Sequence, residues 1–160
     1  MMKPKTFFLI LIGFSFFGTL VAATGEYPWQ LRKDREGIRV STRSVKDSPI
    51  YELRGEMTIS VSLEKVTALY EKVEQMLKWF HRAKEVKLIQ NISKNESIIY
   101  FAADLPWPLS DRDGVYRRVK SIDAATGAVI YTMTYAGPDL YPKQKDRVRV
   151  VYLDAEWKFT

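Results

Sequence analysis

From Ile38 onward the chain alternates apolar and polar positions, changes period once, and then returns to alternation. Ile38, Val40 and Thr42 alternate with Arg39, Ser41 and Arg43, which predicts a half-buried strand. Asp47-Ser48-Pro49 marks a turn. Tyr51, Leu53, Gly55 and Met57 then alternate again, so a second strand is expected to pair back as a hairpin. The stretch from Tyr27 to Gly37 is expected to open as a short helical or turn segment.

The period changes after Ser62. Leu63, Val66, Leu69, Tyr70, Val73, Leu77 and Phe80 recur at three and four residues, which predicts an amphipathic helix. Ser62 suits the N-cap, and Glu64 places an acid in the first turn. A break is expected near Gln75, with Met76 to His81 as a separate short turn. Strand patterns follow at Glu85–Gln90, Ser97–Ala103, Asp113–Ser121, Ala128–Ala136 and Arg147–Leu153, and another starts at Glu156. Consecutive strands on short turns form an antiparallel meander. The predicted class is α+β, and its sheet has one clear helix to cover its apolar face. That is too little cover.

The N-terminus follows another pattern. Lys3 and Lys5 precede an apolar run from Phe7 to Leu20, and Val21-Ala22-Ala23 closes it with small residues. This predicts a signal peptide over residues 1–23, cleavage after Ala23, and a domain over residues 24–160 exported to the periplasm or cell exterior. The rival expectation is an N-terminal membrane anchor, for which the run is borderline in length. Without Lys3 and Lys5 the net charge of +6 falls to +4. The basic clusters Arg32-Lys33-Asp34-Arg35 and Lys143 to Arg149 read as solvated surface, or as a means of transient contact with an anionic membrane. No nucleic-acid reading module is present. The absence of cysteine excludes disulfides, thiol nucleophiles and thiolate metal sites.

Catalytic constellations are weak. Asp111 and Asp113 flank Arg112 in "DLPWPLSDRDGVY", but the turn-like surroundings favour a structural role, with Asp111 bonding local backbone. No cofactor and no metal site is expected. His81 is the only histidine and has no nucleophile motif beside it. Ser62-Leu63-Glu64-Lys65 mimics a Ser-x-x-Lys motif without its companions. Ile99, Phe101, Tyr131, Met133, Val148, Val150 and Tyr152 fit either an ordinary core or the lining of an apolar pocket, with Arg147 and Arg149 facing water. Alternation groups Arg117 with Val115 and Val119 and turns it inward.

"PWPLSDRDGVYRR" resembles the signature of the START domain, the steroidogenic-acute-regulatory-related lipid-transfer module. "WQLRKDREGIRVSTR", "KWFHRAKEVKLI" and "DRVRVVYLDAEWKF" resemble further family segments in the same order, so the likeness runs from about Tyr27 to Thr160. The resemblance implies a helix-grip (START/Bet v 1-like) fold, a curved antiparallel sheet wrapped around a C-terminal helix. The chain stops where family members continue, so a C-terminally truncated domain lacking its lid helix is expected. The resemblance implies a cavity lined by the apolar positions above together with Trp107. It implies Arg118, in place of Arg117, as the polar anchor, and a gating role for Ser121 to Gly127. The implied function is non-enzymatic binding or transfer of a lipid or sterol-like molecule, by a monomer if the domain is full length. The alternatives are a helix-grip cyclase or hydrolase acting on an apolar substrate, and an inert fragment.

Overall fold

The computed structural model describes residues 5–10 and 27–160. The expected cleavage after Ala23 lies outside the described residues. The described strands are β1 (Lys5–Ile10), β2 (Gln30–Arg35), β3 (Ile38–Arg43), β4 (Glu52–Ile59), β5 (Ala83–Ser93), β6 (Glu96–Ala103), β7 (Asp111–Ile122), β8 (Val129–Tyr135), β9 (Arg147–Arg149) and β10 (Asp154–Phe159). Two helices, α1 (Leu63–Glu71) and α2 (Met76–Trp79), flank a 3-10 turn at Val73–Gln75. The strands form one sheet in the order β2-β3-β4-β1-β10-β8-β7-β6-β5, with β9 beside β7. Every pairing is antiparallel except β7 with β9. No helix among the described residues is long and apolar enough to cross a membrane.

Residues 30–35 are a strand where a helical or turn segment was expected. Glu36 and Gly37 both have positive φ, at 57° and 75°, which suits a two-residue hairpin turn. All six residues of β2 are exposed, so the strand carries no apolar alternation to announce it. Its charged side chains also blunt the sheet edge against further pairing.

Helix α1 starts where Ser62 Oγ accepts from the Lys65 N–H at 3.3 Å. It ends sooner than the periodicity suggests. The 3-10 turn keeps Val73 and Met76 on the face already used by Tyr70, because three residues make one 3-10 turn. The helical segment therefore stays pressed to the sheet while changing direction.

Register gives the sheet two unlike faces. On the inner face, Phe159 and Trp157 of β10 align with Val129 and Tyr131 of β8. The same face carries Ile38, Val40, Leu53 and Met57 on β3 and β4. Tyr70, Val73 and Met76 pack there against Ile99, Tyr116, Tyr131, Met133 and Phe159 as the main core. On the outer face, Ile98, Tyr100, Ala102 and Val115 form a second core, packed by Tyr141 from the segment 136–153.

That segment overturns the expected strand at Arg147–Leu153. Only Arg147–Arg149 is extended, parallel to β7 and outside the meander. Arg147 and Arg149 do not face water. Arg149 donates to both carboxylate oxygens of Asp113 at 3.0 Å, and the two side chains are 5% and 1% exposed. Arg147 donates to Glu85 at 2.6 Å and to the Tyr100 hydroxyl at 2.8 Å. Val148 and Tyr152 are exposed instead. The buried carboxylate of Asp113 on β7 and the half-buried one of Glu85 on β5 reverse the usual rule that charge points outward.

Asp154 opens β10, and its carboxyl lies above the usual range, first through burial and then through the negative charge of Glu52. A carboxyl whose folded pKa is raised contributes stability below its unfolded pKa and loses it as pH rises. Asp154→Asn is therefore expected to raise the melting temperature at neutral pH, with the gain vanishing below pH ~4. Thermal melts across pH check this. A gain that persists in acid would assign the effect to something other than ionisation.

Candidate functional site

The inner face holds the candidate site. Ile99, Tyr131 and Met133 point into it as expected, but Tyr70, Val73 and Met76 seal them beneath α1 and the 3-10 turn, so they are core. Phe101 is half-buried beside them. Trp107 is not part of any lining. It is 92% exposed in the loop between β6 and β7, with a cis Trp107–Pro108 bond. Val150 is spent on the sheet edge, where its N–H donates to the Asp113 carbonyl at 2.7 Å. With Val148 and Tyr152 this removes the last strand from the expected lining.

The two arginines separate by face. Arg117 points outward and donates to Glu96 at 2.6 Å. Arg118 points inward, and its guanidinium donates to the carbonyls of Tyr70 at 3.2 Å and Glu71 at 3.4 Å. These are the last carbonyls of α1, which lack partners within the helix. A cation there also complements the helix dipole. Arg118 thus secures the helix to the sheet.

Beside it, Glu71 accepts from Lys120 at 2.6 Å and from the Tyr131 hydroxyl at 2.7 Å. Burial pushes the Glu71 carboxyl up, but these two hydrogen bonds prevail and hold it below the usual range. Burial, then the bond to Glu71, pushes the Tyr131 hydroxyl up. A pocket of about 130 Å³ opens here, lined by Glu71, Arg118, Lys120 and Tyr131 and by the β5–β6 turn. Ligand pockets usually enclose about 300–1,000 Å³, so this polar recess suits water or a small polar group and cannot house a lipid chain.

An aromatic cluster borders the open part of the inner face. Tyr70 lies 4.6 Å from Tyr131, 5.3 Å from Trp157 and 5.4 Å from Phe159, centroid to centroid. Phe80 meets Phe101 at 4.8 Å, and Trp79 meets Trp157 at 5.9 Å. Trp79, Phe80, Phe101 and Trp157 are only partly buried. The Trp79 indole N–H is enclosed with no acceptor among the described groups. Beyond the cluster the floor continues over β4 and β3, where Leu53 and Ile38 are 37% and 39% exposed. Trp79, Phe80 and Trp157 did not stand out in the sequence as site residues. Their signal was the recurrence of aromatics on one strand face and at the end of the helical pattern.

Two motif details are architectural. A Cβ on Gly114 would sit 2.1 Å from the Tyr116 hydroxyl oxygen and 2.2 Å from its ring, because that ring folds back over the glycine on the inner face. Asp111 accepts from the Leu105 N–H at 3.2 Å and from Lys84 at 2.6 Å, tying down the turn before β7. Within Ser121 to Gly127, the loop that the resemblance implies as a gate, the turn is held by local hydrogen bonds. Asp123 Oδ1 accepts from the N–H groups of Ala125 and Thr126. His81 is exposed, and no cluster of three or more metal-binding side chains occurs among the described residues.

A family model for the START domain matches residues 21–153. The Pseudomonas aeruginosa protein PA1579 is 34% identical over 142 residues, covering 89% of this chain and 68% of that protein. A STAR-related lipid transfer protein from Xanthomonas axonopodis has a similar structure, with a TM-score of 0.70 and 27% identity over 82% of this chain and 80% of the other. Human StAR-related lipid transfer protein 5 shares the fold, with a TM-score of 0.69 at 19% identity over 86% of this chain and 73% of the other.

Proposed function

This chain belongs to the START-domain family, and we propose that it binds one lipid-like molecule, without chemistry, along the inner face of its sheet. The observation that carries this reading is the exposed apolar floor at Ile38 and Leu53, continuous in register with the buried core at Phe159. Leaving such a surface in water is costly, and each methylene it removes from water contributes about 0.8 kcal/mol. The solved relatives named as lipid transfer proteins support the same reading. The half-buried rings of Phe80, Phe101 and Trp157, steeply inclined to one another, form its wall. No observation on the described residues favours a hydrolase or cyclase.

The test is uptake of a fluorescent fatty acid held below its micelle-forming concentration. Wild-type chain is expected to bind it with energy transfer from tryptophan. Leu53→Glu, which puts a charge on the floor, is expected to abolish uptake while the thermal melt stays cooperative. Equal uptake by both proteins, or none by the wild type, would sink the proposal.

A further inference from the structure

Among the described strands, β1 alone has partners far from it in sequence on both sides. It runs from Lys5 opposite Ile59 to Ile10 opposite Arg54 on β4, and from Phe7 opposite Phe159 to Ile10 opposite Glu156 on β10. Both pairings are antiparallel, so β4 and β10 run in the same direction, two strand spacings or roughly 9.5 Å apart. They form the two walls of a slot. Each wall presents backbone N–H and C=O groups to whatever strand lies between them.

Register defines what the slot selects. Positions 7 and 9 stand beside Met57, Gly55, Phe159 and Trp157 on the inner face. Positions 6, 8 and 10 stand beside Thr58, Glu56, Arg54, Lys158 and Glu156 on the other face. A strand made for this slot alone needs apolar residues only at the first set, in alternation. The sequence Thr6-Phe7-Phe8-Leu9-Ile10 is apolar at 8 and 10 as well, next to charged neighbours. That surplus fits the other use its pattern predicts, as the start of the apolar run of a leader. The tether permits both uses. Residues 11–29 can span roughly 60 Å when extended. The strands they connect, β1 and β2, are three spacings apart, roughly 14 Å.

We propose that the slot between β4 and β10 is a strand-acceptor site, and that the N-terminal run is an exchangeable occupant held there in cis. The site takes an extended peptide that runs antiparallel to both walls and is apolar at alternate positions. Main-chain pairing supplies the affinity, and the inner-face positions supply the selectivity. Whenever the run serves elsewhere, the slot is open to such a peptide. Folding around the run and deploying it therefore exclude one another.

The probe is a fluorescein-labelled peptide with the sequence of residues 3–10, added to the full chain and followed by anisotropy. Phe7→Asp in the chain weakens the cis strand and should tighten peptide binding by roughly tenfold or more over wild type. Phe7→Asp in the peptide should abolish binding, whereas Phe8→Thr in the peptide should leave it within about twofold. The chain has no cysteine of its own, so a disulfide can lock the slot. Phe8→Cys with Glu56→Cys, directly opposite in register, should cross-link within the chain and exclude the peptide until reduced. Phe8→Cys with Met57→Cys, on opposite faces, should not cross-link. The locked pair keeps the test decisive if the Phe7→Asp chain does not fold. Peptide binding that ignores the lock or the Phe7→Asp change in a folded chain overturns the proposal. So does equal cross-linking at 56 and 57, or no peptide binding by any form of the chain.

Discussion

Asp113→Ala is expected to cost about 3–5 kcal/mol of unfolding free energy, because it leaves a buried guanidinium without its carboxylate. Arg149 makes two charge-assisted hydrogen bonds to Asp113, and the Tyr100 hydroxyl donates a third at 3.0 Å. The carboxylate is also the anchor for a whole segment. The Arg149 guanidinium donates onward to the carbonyls of Tyr141 and Pro142, at 3.1 and 3.0 Å. Arg149→Leu should cost a similar amount, since it strands the opposite charge. The double replacement Asp113→Leu, Arg149→Leu should cost much less than the sum of the single losses, because no buried charge is then left alone. Urea midpoints of the three variants test this. Additive losses would mean that the pair does not act as a unit.

Tyr70→Ala is the second large loss, expected at about 3–5 kcal/mol for an aromatic removed from a packed core. Tyr70 is the aromatic side chain of α1, it meets Tyr131, Trp157 and Phe159 at once, and it also lies 5.9 Å from Trp79. Its removal takes away the contact by which the helical segment seals the inner face. Tyr70→Phe should cost far less, about 1 kcal/mol or below, because the lost hydroxyl reaches only the Met133 sulfur at 3.5 Å, a weak acceptor. Denaturation midpoints give the energies, and near-ultraviolet dichroism should fade in the alanine variant alone. Equal costs for the two would place the importance of Tyr70 in its hydroxyl.

The sequence made the hairpin β3–β4, the cap at Ser62 and the meander β5–β8 legible, because each has one covered face and one wet face. It misled where both faces are covered. Alternation turned Arg117 inward with Val115, yet Val115 is buried against the outer core, and Arg118 is the inward residue. The START resemblance named Arg118 because motif spacing does not depend on which face is wet. Arg147 and Arg149 failed for a related reason, since their partners lie far away on β5 and β7. The resemblance places Trp107 with the lining, yet it is 92% exposed, and nothing in a single chain separates a lining ring from one at a loop tip. The bare floor at Ile38 and Leu53 was foreshadowed by the shortage of helix to cover the sheet.

The strand order also sets a timetable. Strands β5 to β8 follow one another in both sequence and space, so that half closes through short loops as each strand is made. The hairpins of β2, β3 and β4 close just as locally. The halves meet only where β1 lies between β4 and β10, and there Phe7 pairs with Met57 on one side and Phe159 on the other. That seam spans nearly the whole chain, so its closure entropy falls due last. Amides of β6 and β7 should accordingly exchange with solvent slowest, and those facing the seam on β4 and β10 should open first.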